Sequence, residues 1–394
     1  MDKFTFYTPT RVIFGKGAED NVGKLIKDEG GTKVLIHYGS NSVIKSGLLE
    51  KVKQSLEAEG LKYVELGGVV PNPRLSKVYE GIELSRREGV DFILAVGGGS
   101  VLDSAKAISI GVPYEGDVWD FYNGKKPNSG IKHGNIITLA ATGSEMSSSS
   151  VITKDDGKIK KGANFEFFRP VFTCMNPESL YTLPPYQTSC GIVDILMHTF
   201  ERFFSKPREG GKTEVSDSIA VAIMRTVIEY GPICLVNPED YEARSEIMWA
   251  GSLSHNDLTG LGRVGDWATH RIEHELSAMY DVAHGAGLAA VWGSWARYVV
   301  DENVTRFAKF GVDVWDLSLD YENPMNTALA AIKRTEDFFK YVNMPITITE
   351  LIGRKPTDEE LRECARKCMI NAPGVGSMKT MTEESVYEIY KAAI

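Results

Sequence analysis

The hydrophobic pattern changes character near residue 185. Before it, short β-rich runs alternate with amphipathic stretches. Lys33–His37, Tyr63–Leu66, Phe92–Val96 and Asn135–Leu139 predict strands, being apolar, rich in β-branched side chains and bounded by turn residues. Between them, Gly47 to Glu59 and Leu75 to Glu88 place apolar residues at helical spacing. Strands alternating with helices predict a parallel sheet with covering helices. After Leu183-Pro184-Pro185 the helical period dominates, over about 186–206, 213–230, 240–257, 265–280 and onward. The last helix has a start signal at Thr382, with Glu383 and Glu384 in its first turn. The expected architecture is an α/β domain over 1–185 and an all-helical domain over 186–394. No internal repeat, low-complexity tract or long linker interrupts it.

Composition leaves this picture intact. The chain has 394 residues, 43% hydrophobic and 25% charged, which suits a globular protein with two cores. A net charge of −9 speaks against nucleic acid or an anionic membrane as the main partner. No run approaches 18 uncharged apolar residues and the N-terminus lacks a secretion-signal pattern, so a cytoplasmic location is expected. Cys174, Cys190, Cys234, Cys364 and Cys368 are sparse and include no CxxC pair, so they read as reduced bystanders.

The histidines add chemistry. Five side chains could converge on one metal: Asp194 and His198, His270 and His274, and His284. Residues four apart on a helix share a face, so the first two pairs can each act as a clamp. A single unbroken helix from His270 to His284 would hold those two roughly 21 Å apart. Ligand bonds of about 2 Å forbid this. The helix must therefore end between them, near Tyr280-Asp281, with Gly285 and Gly287 easing the return of His284. An Asp with several His suits Fe²⁺ or Zn²⁺. Spacing alone leaves open which of His270 and His274 binds, and the bland alternative is a set of satisfied core histidines.

A second signal lies in the first half. The run Asp91–Val96 leads directly into Gly97-Gly98-Gly99-Ser100 and a helix. Glycines allow close backbone approach to a diphosphate, and a helix start offers free N–H groups. The plain alternative is a tight turn with Ser100 as N-cap and Asp103 completing a capping box. A second edge, Thr138-Leu-Ala-Ala-Thr142-Gly143-Ser144-Glu145, ends a strand in small hydroxyl residues that can bond a ribose or phosphate. After the strand at 33–37 come Gly39, Ser40 and Asn41, with no acid to bind a ribose 2′-OH and with Lys45 nearby. That favours NADP(H) while leaving NAD(H) usable.

Taken together, Pro71-Asn72-Pro73, Gly97-Gly98-Gly99-Ser100-Val-Leu-Asp103, Thr142-Gly143-Ser144-Glu145, Asp194-x3-His198 and His270-x3-His274-x9-His284 resemble the iron-containing alcohol dehydrogenase family. The resemblance spans nearly the whole chain and is closest to the NADP-preferring butanol dehydrogenase and aldehyde reductase branch. Ala141 departs from it, since many members carry Gly there. The resemblance implies an N-terminal dinucleotide-binding α/β domain and an all-α C-terminal metal-binding domain, a dehydroquinate synthase-like layout. It implies Asp194, His198, His270 and His284 as ligands of Fe²⁺ or Zn²⁺, and catalytic roles for His274, beside the substrate, and for Asp103. Gly97, Gly98, Gly99 and Ser100 would hold the pyrophosphate, while Asp103, Thr138, Thr142 and Lys160 would contact the nicotinamide side. For Lys160 a solvated lysine cluster is the competing reading. The implied activity is reversible hydride transfer between NADP(H) and a primary alcohol or aldehyde, in a homodimer. Polyol dehydrogenases and dehydroquinate synthase-like lyases are the alternatives, though the basic residues that the lyases' substrate needs are missing. The aromatics Phe165, Phe167, Phe168, Trp249 and Trp267 are candidates for an apolar pocket, with core packing as their ordinary job.

Overall fold

A computed structural model describes residues 3–39, 41–206 and 211–394. They form two compact units, Tyr7–Leu183 and Pro184–Ile394, with residues up to Phe6 grouped with the second. The first few residues thus leave the expected 1–185 unit. Among the described residues no strand precedes Arg11, so no ladder ties Lys3–Phe6 to the sheet.

The first unit carries eight strands: β1 (Arg11–Phe14), β2 (Lys33–Tyr38), β3 (Lys62–Leu66), β4 (Phe92–Gly97), β5 (Lys132–Ile137), β6 (Ser149–Lys154), β7 (Ile159–Asn164) and β8 (Phe172–Met175). Six make a parallel sheet in the order β1-β8-β5-β4-β2-β3, and β6 and β7 pair as an antiparallel hairpin. The middle strands are buried on both faces, which explains their unbroken apolar runs. Val34, Ile36, Phe92, Leu94, Ile136 and Phe172 meet in one core, where the Phe92 and Phe172 rings stack at 5.9 Å. Strand β5 starts three residues earlier than the pattern suggests. Lys132, His133 and Gly134 break the apolar run, but buried His133 is satisfied by the Phe168 carbonyl at 3.1 Å. Gly134 is needed too, because a Cβ there would meet the Phe172 ring at 2.5 Å.

The strand order also locates a ligand edge. From β2 the chain steps outward to β3, then crosses back to place β4 on the other side of β2. Open α/β sheets bind ligands at the carboxyl ends of strands flanking such a reversal. Here those ends are Tyr38-Gly39 and Gly97.

The second unit is helical, with no strand among the described residues. Its helices include Pro185–Phe203, Glu214–Val236, Tyr241–His255, Ala268–Tyr280 and His284–Val299. Pro185 occupies the first helical position, where its missing N–H costs nothing, so the proline pair starts the helix as well as ending what precedes it. Every residue from Thr188 to Phe203 is buried, which makes Pro185–Phe203 the core helix of the unit. Phe200, Phe203 and Phe204 pack at its end with Trp292, Phe307 and Phe310. Glu214–Val236 is long and apolar enough to cross a membrane by length and composition.

Candidate metal centre and nucleotide edge

The core helix places Asp194, His198 and Glu201 on one face at i, i+4 and i+7. Helix Ala268–Tyr280 supplies His270, Glu273 and His274, then stops at Asp281, which takes the left-handed conformation at φ 53°. The predicted break therefore exists, and His284 is the first residue of the next helix. Gly285 and Gly287, expected to ease the return of His284, lie inside that helix, where they allow close packing. A Cβ on Gly285 would lie 2.7 Å from the Cys190 carbonyl carbon, and one on Gly287 would lie 2.7 Å from Glu273 Oε1. Cys190 is one turn before Asp194, so this close approach seats His284 against the carboxylate.

The distances have a definite meaning. Asp194 Oδ1 lies 3.5 Å from His198 Nδ1, 3.8 Å from His270 Nε2 and 3.7 Å from His284 Nε2. Those gaps are too long for hydrogen bonds. They approach the ligand-to-ligand edge, about 3.4 Å, of a tetrahedron with bonds near 2.1 Å. Ligand atoms of Asp194, His270 and His284 all fall within 4.8 Å of one another, and His198 adds a nitrogen beside the same oxygen. Asp194 Oδ1, His198 Nδ1 and His270 Nε2 are buried without a hydrogen-bond partner among the described residues. Orphaned buried polar atoms are costly, and a divalent cation would satisfy all three at once. The donor set fits Fe²⁺ or Zn²⁺.

Two buried carboxylates complete the arrangement. Glu201 Oε1 accepts from the His270 backbone N–H at 2.9 Å and from its Nδ1 at 2.8 Å. Glu273 Oε2 accepts from His284 Nδ1, while its other oxygen takes the Ser277 hydroxyl. Each bond commits Nδ1 as donor and turns Nε2 toward Asp194, where it becomes the metal-ligating nitrogen once any proton on it is displaced. Electrostatics agree. Burial would raise Asp194, but the imidazoles of His198, His270 and His284 hold it well below the usual carboxylate range. Burial pushes His198 down to about 3. Burial would also lower His270, yet Asp194 and Glu201 lift it to about 9.

His274 is buried one turn after His270, its ring 5.6 Å from that of His284. It also groups with Glu273 and His284 within 4.8 Å. Sequence reasoning missed Glu201, Glu273, His255 and Arg202. The His255 ring lies 4.2 Å from that of His198. Buried Arg202 donates to the His198 carbonyl at 2.9 Å and stacks over Trp267 at 4.8 Å. The i+7 spacing of Glu201 from Asp194 and the i+3 spacing of Glu273 from His270 were the available signals. Of the candidate aromatics, Trp267 borders this centre, 5.4 Å from His270, whereas Phe165 packs on Phe121 and Phe168.

In the first unit, Gly98 is the N-cap of helix Gly99–Gly111 and no side chain caps that start. The helix begins earlier than the capping-box reading requires, and Ser100 lies inside it. Its first N–H groups have no side-chain acceptor, which suits a phosphate. A Cβ on Gly99 would meet Thr142 at 2.5 Å, so glycine lets the two edges touch. Asp103 does not cap the helix either. Its Oδ1 accepts from Ser144 Oγ at 2.6 Å and its Oδ2 from the Val151 N–H at 2.9 Å. Both carboxylate oxygens thus brace the chain from Ser144 to Val151, at the start of β6. Lys106, one turn on, is fully buried and donates to the Ser147 and Ser149 carbonyls at 3.1 and 2.7 Å. Thr138 continues the ladder through its N–H to the Gly97 carbonyl at 3.0 Å. Lys160 is buried in β7, unlike the solvated cluster considered for it, and its charge acts on Asp103. Gly39 follows β2 and Asn41 is the exposed N-cap of a short helix Ser42–Lys45; Ser40, between them in the sequence, lies outside the described residues.

A switch-point sheet with a bare helix start, joined in one chain to a carboxylate-backed His/Asp cluster, defines a metal-dependent nucleotide oxidoreductase. Comparison narrows the class. The family model "Iron-containing alcohol dehydrogenase" matches residues 9–177, and "Fe-containing alcohol dehydrogenase family, C-terminal" matches 188–394. The chain is 40% identical to NADH-dependent butanol dehydrogenase A of Clostridium acetobutylicum over 99% of both chains. It is 36% identical to the NADPH-dependent aldehyde reductase YqhD of Escherichia coli over 89% of both. The crystal structure of NADH-dependent butanol dehydrogenase A from Thermotoga maritima superposes with a TM-score of 0.94 at 36% identity, covering 100% of this chain and 99% of that one. The chain belongs to the iron-containing alcohol dehydrogenase family and is an alcohol dehydrogenase/aldehyde reductase using a metal and a nicotinamide cofactor.

Proposed function

We propose that this enzyme interconverts a primary alcohol of about the size of butanol and its aldehyde, with NADP(H) preferred and Fe²⁺ held by Asp194, His198, His270 and His284. The carrying observation is the three imidazole nitrogens 3.5 to 3.8 Å from one buried carboxylate oxygen. Zn²⁺ suits the same donors. When bound, the metal polarises the alcohol or aldehyde oxygen and the nicotinamide carries the hydride. The chain's own residues do the rest. Glu201 and Glu273 fix the tautomers of His270 and His284. His274 passes a proton between substrate oxygen and solvent, a task suited to imidazole. Gly97, Gly98, Gly99 and Ser100 cradle the pyrophosphate, and Thr138, Thr142 and Lys160 receive the nicotinamide ribose. Gly39 and Asn41 would meet the adenosine ribose, where the missing acid and Lys45 favour a 2′-phosphate. The relatives' names include both NADH- and NADPH-dependent enzymes, so local charge is the argument used. We read the enzyme as a cytoplasmic homodimer.

The test is saturation kinetics of butanal reduction by the Fe²⁺-loaded enzyme with each cofactor. NADPH should give the higher kcat/KM; a clear lead for NADH overturns the cofactor assignment. Glycerol oxidised with higher kcat/KM than butanol would move the substrate to the polyols. Absence of metal-dependent nicotinamide oxidation by any aldehyde would remove the proposal altogether.

A further inference from the structure

Helix Gly99–Gly111 carries a buried charge that the proposed chemistry does not use. Lys106 is 0% exposed, at a position where an apolar side chain would serve the packing of the helix. Taking an ammonium out of water is costly, and the usual remedy is a hydrogen-bonded carboxylate. Lys106 is satisfied differently. Its three N–H donors meet three neutral oxygens of one loop: the Ser147 carbonyl at 3.1 Å, the Ser147 hydroxyl at 3.3 Å and the Ser149 carbonyl at 2.7 Å. Burial brings the ammonium down to about 8, with Asp103 and Glu145 opposing the fall, so it keeps its charge at neutral pH.

That loop leaves β5 and leads into β6. Its second half is held on all sides. Asp103 accepts from the Ser144 hydroxyl and the Val151 N–H, the Ser150 hydroxyl donates to the Asp103 carbonyl at 2.9 Å, and buried Arg169 donates to the Met146 carbonyl at 2.8 Å. Its first half carries the consequence. Thr142 lies so close to Gly99, the first residue of the same helix, that a Cβ there would meet the threonine side chain at 2.5 Å. The Thr142 hydroxyl accepts the Ser144 N–H at 3.2 Å, which joins the two halves. The loop thus rests on the glycine start of the helix through Thr142 and, two turns along, on Lys106.

We propose that Lys106 is a positioning residue for the nicotinamide half of the cofactor. It fixes loop 142–149 before the cofactor arrives, so that Thr142 already stands beside the glycine helix start. Groups ordered in advance lose less freedom on binding. The inference rests on the proposed contact between Thr142 and the nicotinamide ribose; Lys106 itself, wholly buried, acts only through the loop.

Three variants of the full-length, metal-loaded enzyme test it: Lys106→Met, which keeps the stem and removes the charge, Thr142→Val, and the two combined. Dissociation constants are read for NADPH and NADH by their fluorescence, and for ADP by displacement. ADP has the adenosine and the diphosphate but lacks the nicotinamide half. Lys106→Met should weaken dinucleotide binding about 10-fold, the order expected for lost hydrogen bonds to a charged group, and leave ADP binding unchanged. The double variant should bind no more weakly than the weaker single one, because both changes remove one shared contact. Equal losses for dinucleotide and ADP would mean a general loosening and overturn the proposal. So would unchanged dinucleotide binding by Lys106→Met, or additive losses. Thr142→Val binding like wild type, beside a weakened Lys106→Met, would reject the Thr142 assignment and keep that of Lys106. If Lys106→Met does not fold, amide exchange of the wild type decides. Residues 146–151 should be as protected without cofactor as with it, and protection that appears only with NADPH or NADH would overturn the proposal.

Discussion

Gly285→Ala tests how the metal centre is assembled, because it changes no ligand. The added Cβ would lie 2.7 Å from the Cys190 carbonyl carbon and 2.8 Å from its Cα. Carbon atoms rest at about 3.5–4.0 Å. The shortfall is therefore about 0.7–1.3 Å, and both partners are helix backbone, which cannot rotate away. The helix start must lift off the core helix, taking neighbouring His284 from its 3.7 Å position beside Asp194 Oδ1. Overpacking costs about 1–3 kcal/mol, partly offset by about 1 kcal/mol from replacing a helical glycine. The apo-protein should therefore still fold, with a modestly lowered Tm. A displacement of about 1 Å in a preorganised site costs on the order of 100-fold, or about 2.7 kcal/mol. Titration with Zn²⁺ against a competing chromophoric chelator measures it. Gly293→Ala, two turns further along the same helix, is the control: its Cβ meets the Glu336 side chain, which can move. The control should bind metal normally while Gly285→Ala weakens binding by about 100-fold. Equal affinities in the two variants would refute the idea that the glycine contact positions His284.

Other outcomes follow from the same centre. Glu201→Gln should lower metal affinity about 10- to 100-fold, because it removes the charge that orients His270; unchanged affinity in the chelator assay would dismiss that role. His274→Ala should reduce turnover and alter its pH profile with metal still stoichiometric by elemental analysis, whereas loss of metal would make His274 a ligand. Metal uptake must displace the proton that Asp194 and Glu201 help hold on His270, whose pKa is about 9 in the metal-free site. The apparent log affinity should rise by about one per pH unit up to about 9, then flatten; a flat profile below pH 8 contradicts this. Burial lowers His37 to about 4 and His133 to about 3, against an ordinary value of 6.5. Both are depressed in the folded state, so the unfolded chain binds more protons between those values and 6.5. Their stabilising contribution is complete above 6.5 and is lost as pH falls toward 3. Urea midpoints of the apo-protein at pH 7 and pH 5 should show the fall, and equal midpoints would not fit.

The fold was legible wherever burial is uniform. β2 and β4 carry largely apolar, buried runs, and the pattern finds each to within a residue or so; β3, with Lys62 and Glu65 exposed, is found to the same precision from its β-rich Tyr63-Val64. β1 and β8 were missed because each has only four residues, too few to establish a period. β6 and β7 were missed because Ser149, Ser150, Lys160 and Lys161 disguise them, and what orders the hairpin comes from Asp103 and Lys106 on another element. The start of helix Gly99–Gly111 was displaced in the capping-box reading for a related reason. Ser100 and Asp103 have the right spacing for a box, but the Asp103 carboxylate is taken by Ser144 and Val151. A local signal lost to a tertiary one.

The metal centre divides along the same line. Asp194 with His198, and His270 with His274, are visible because a helix repeats within one segment, and the forced break before His284 follows from length alone. What spacing could not decide was which histidine of the second pair faces Asp194, since both stand on the same helical face. Glu201 reaches His270 from another helix, 69 residues away, and holds both its backbone N–H and its Nδ1. Glu273 does the same for His284 Nδ1 across the helix break. In a sequence these two glutamates share a helical face with the ligands, but spacing alone does not mark their burial. Once they are known to be buried among imidazoles, the tautomers follow. His270 and His284 must then present Nε2 toward Asp194, which is the arrangement that the 3.8 and 3.7 Å separations record.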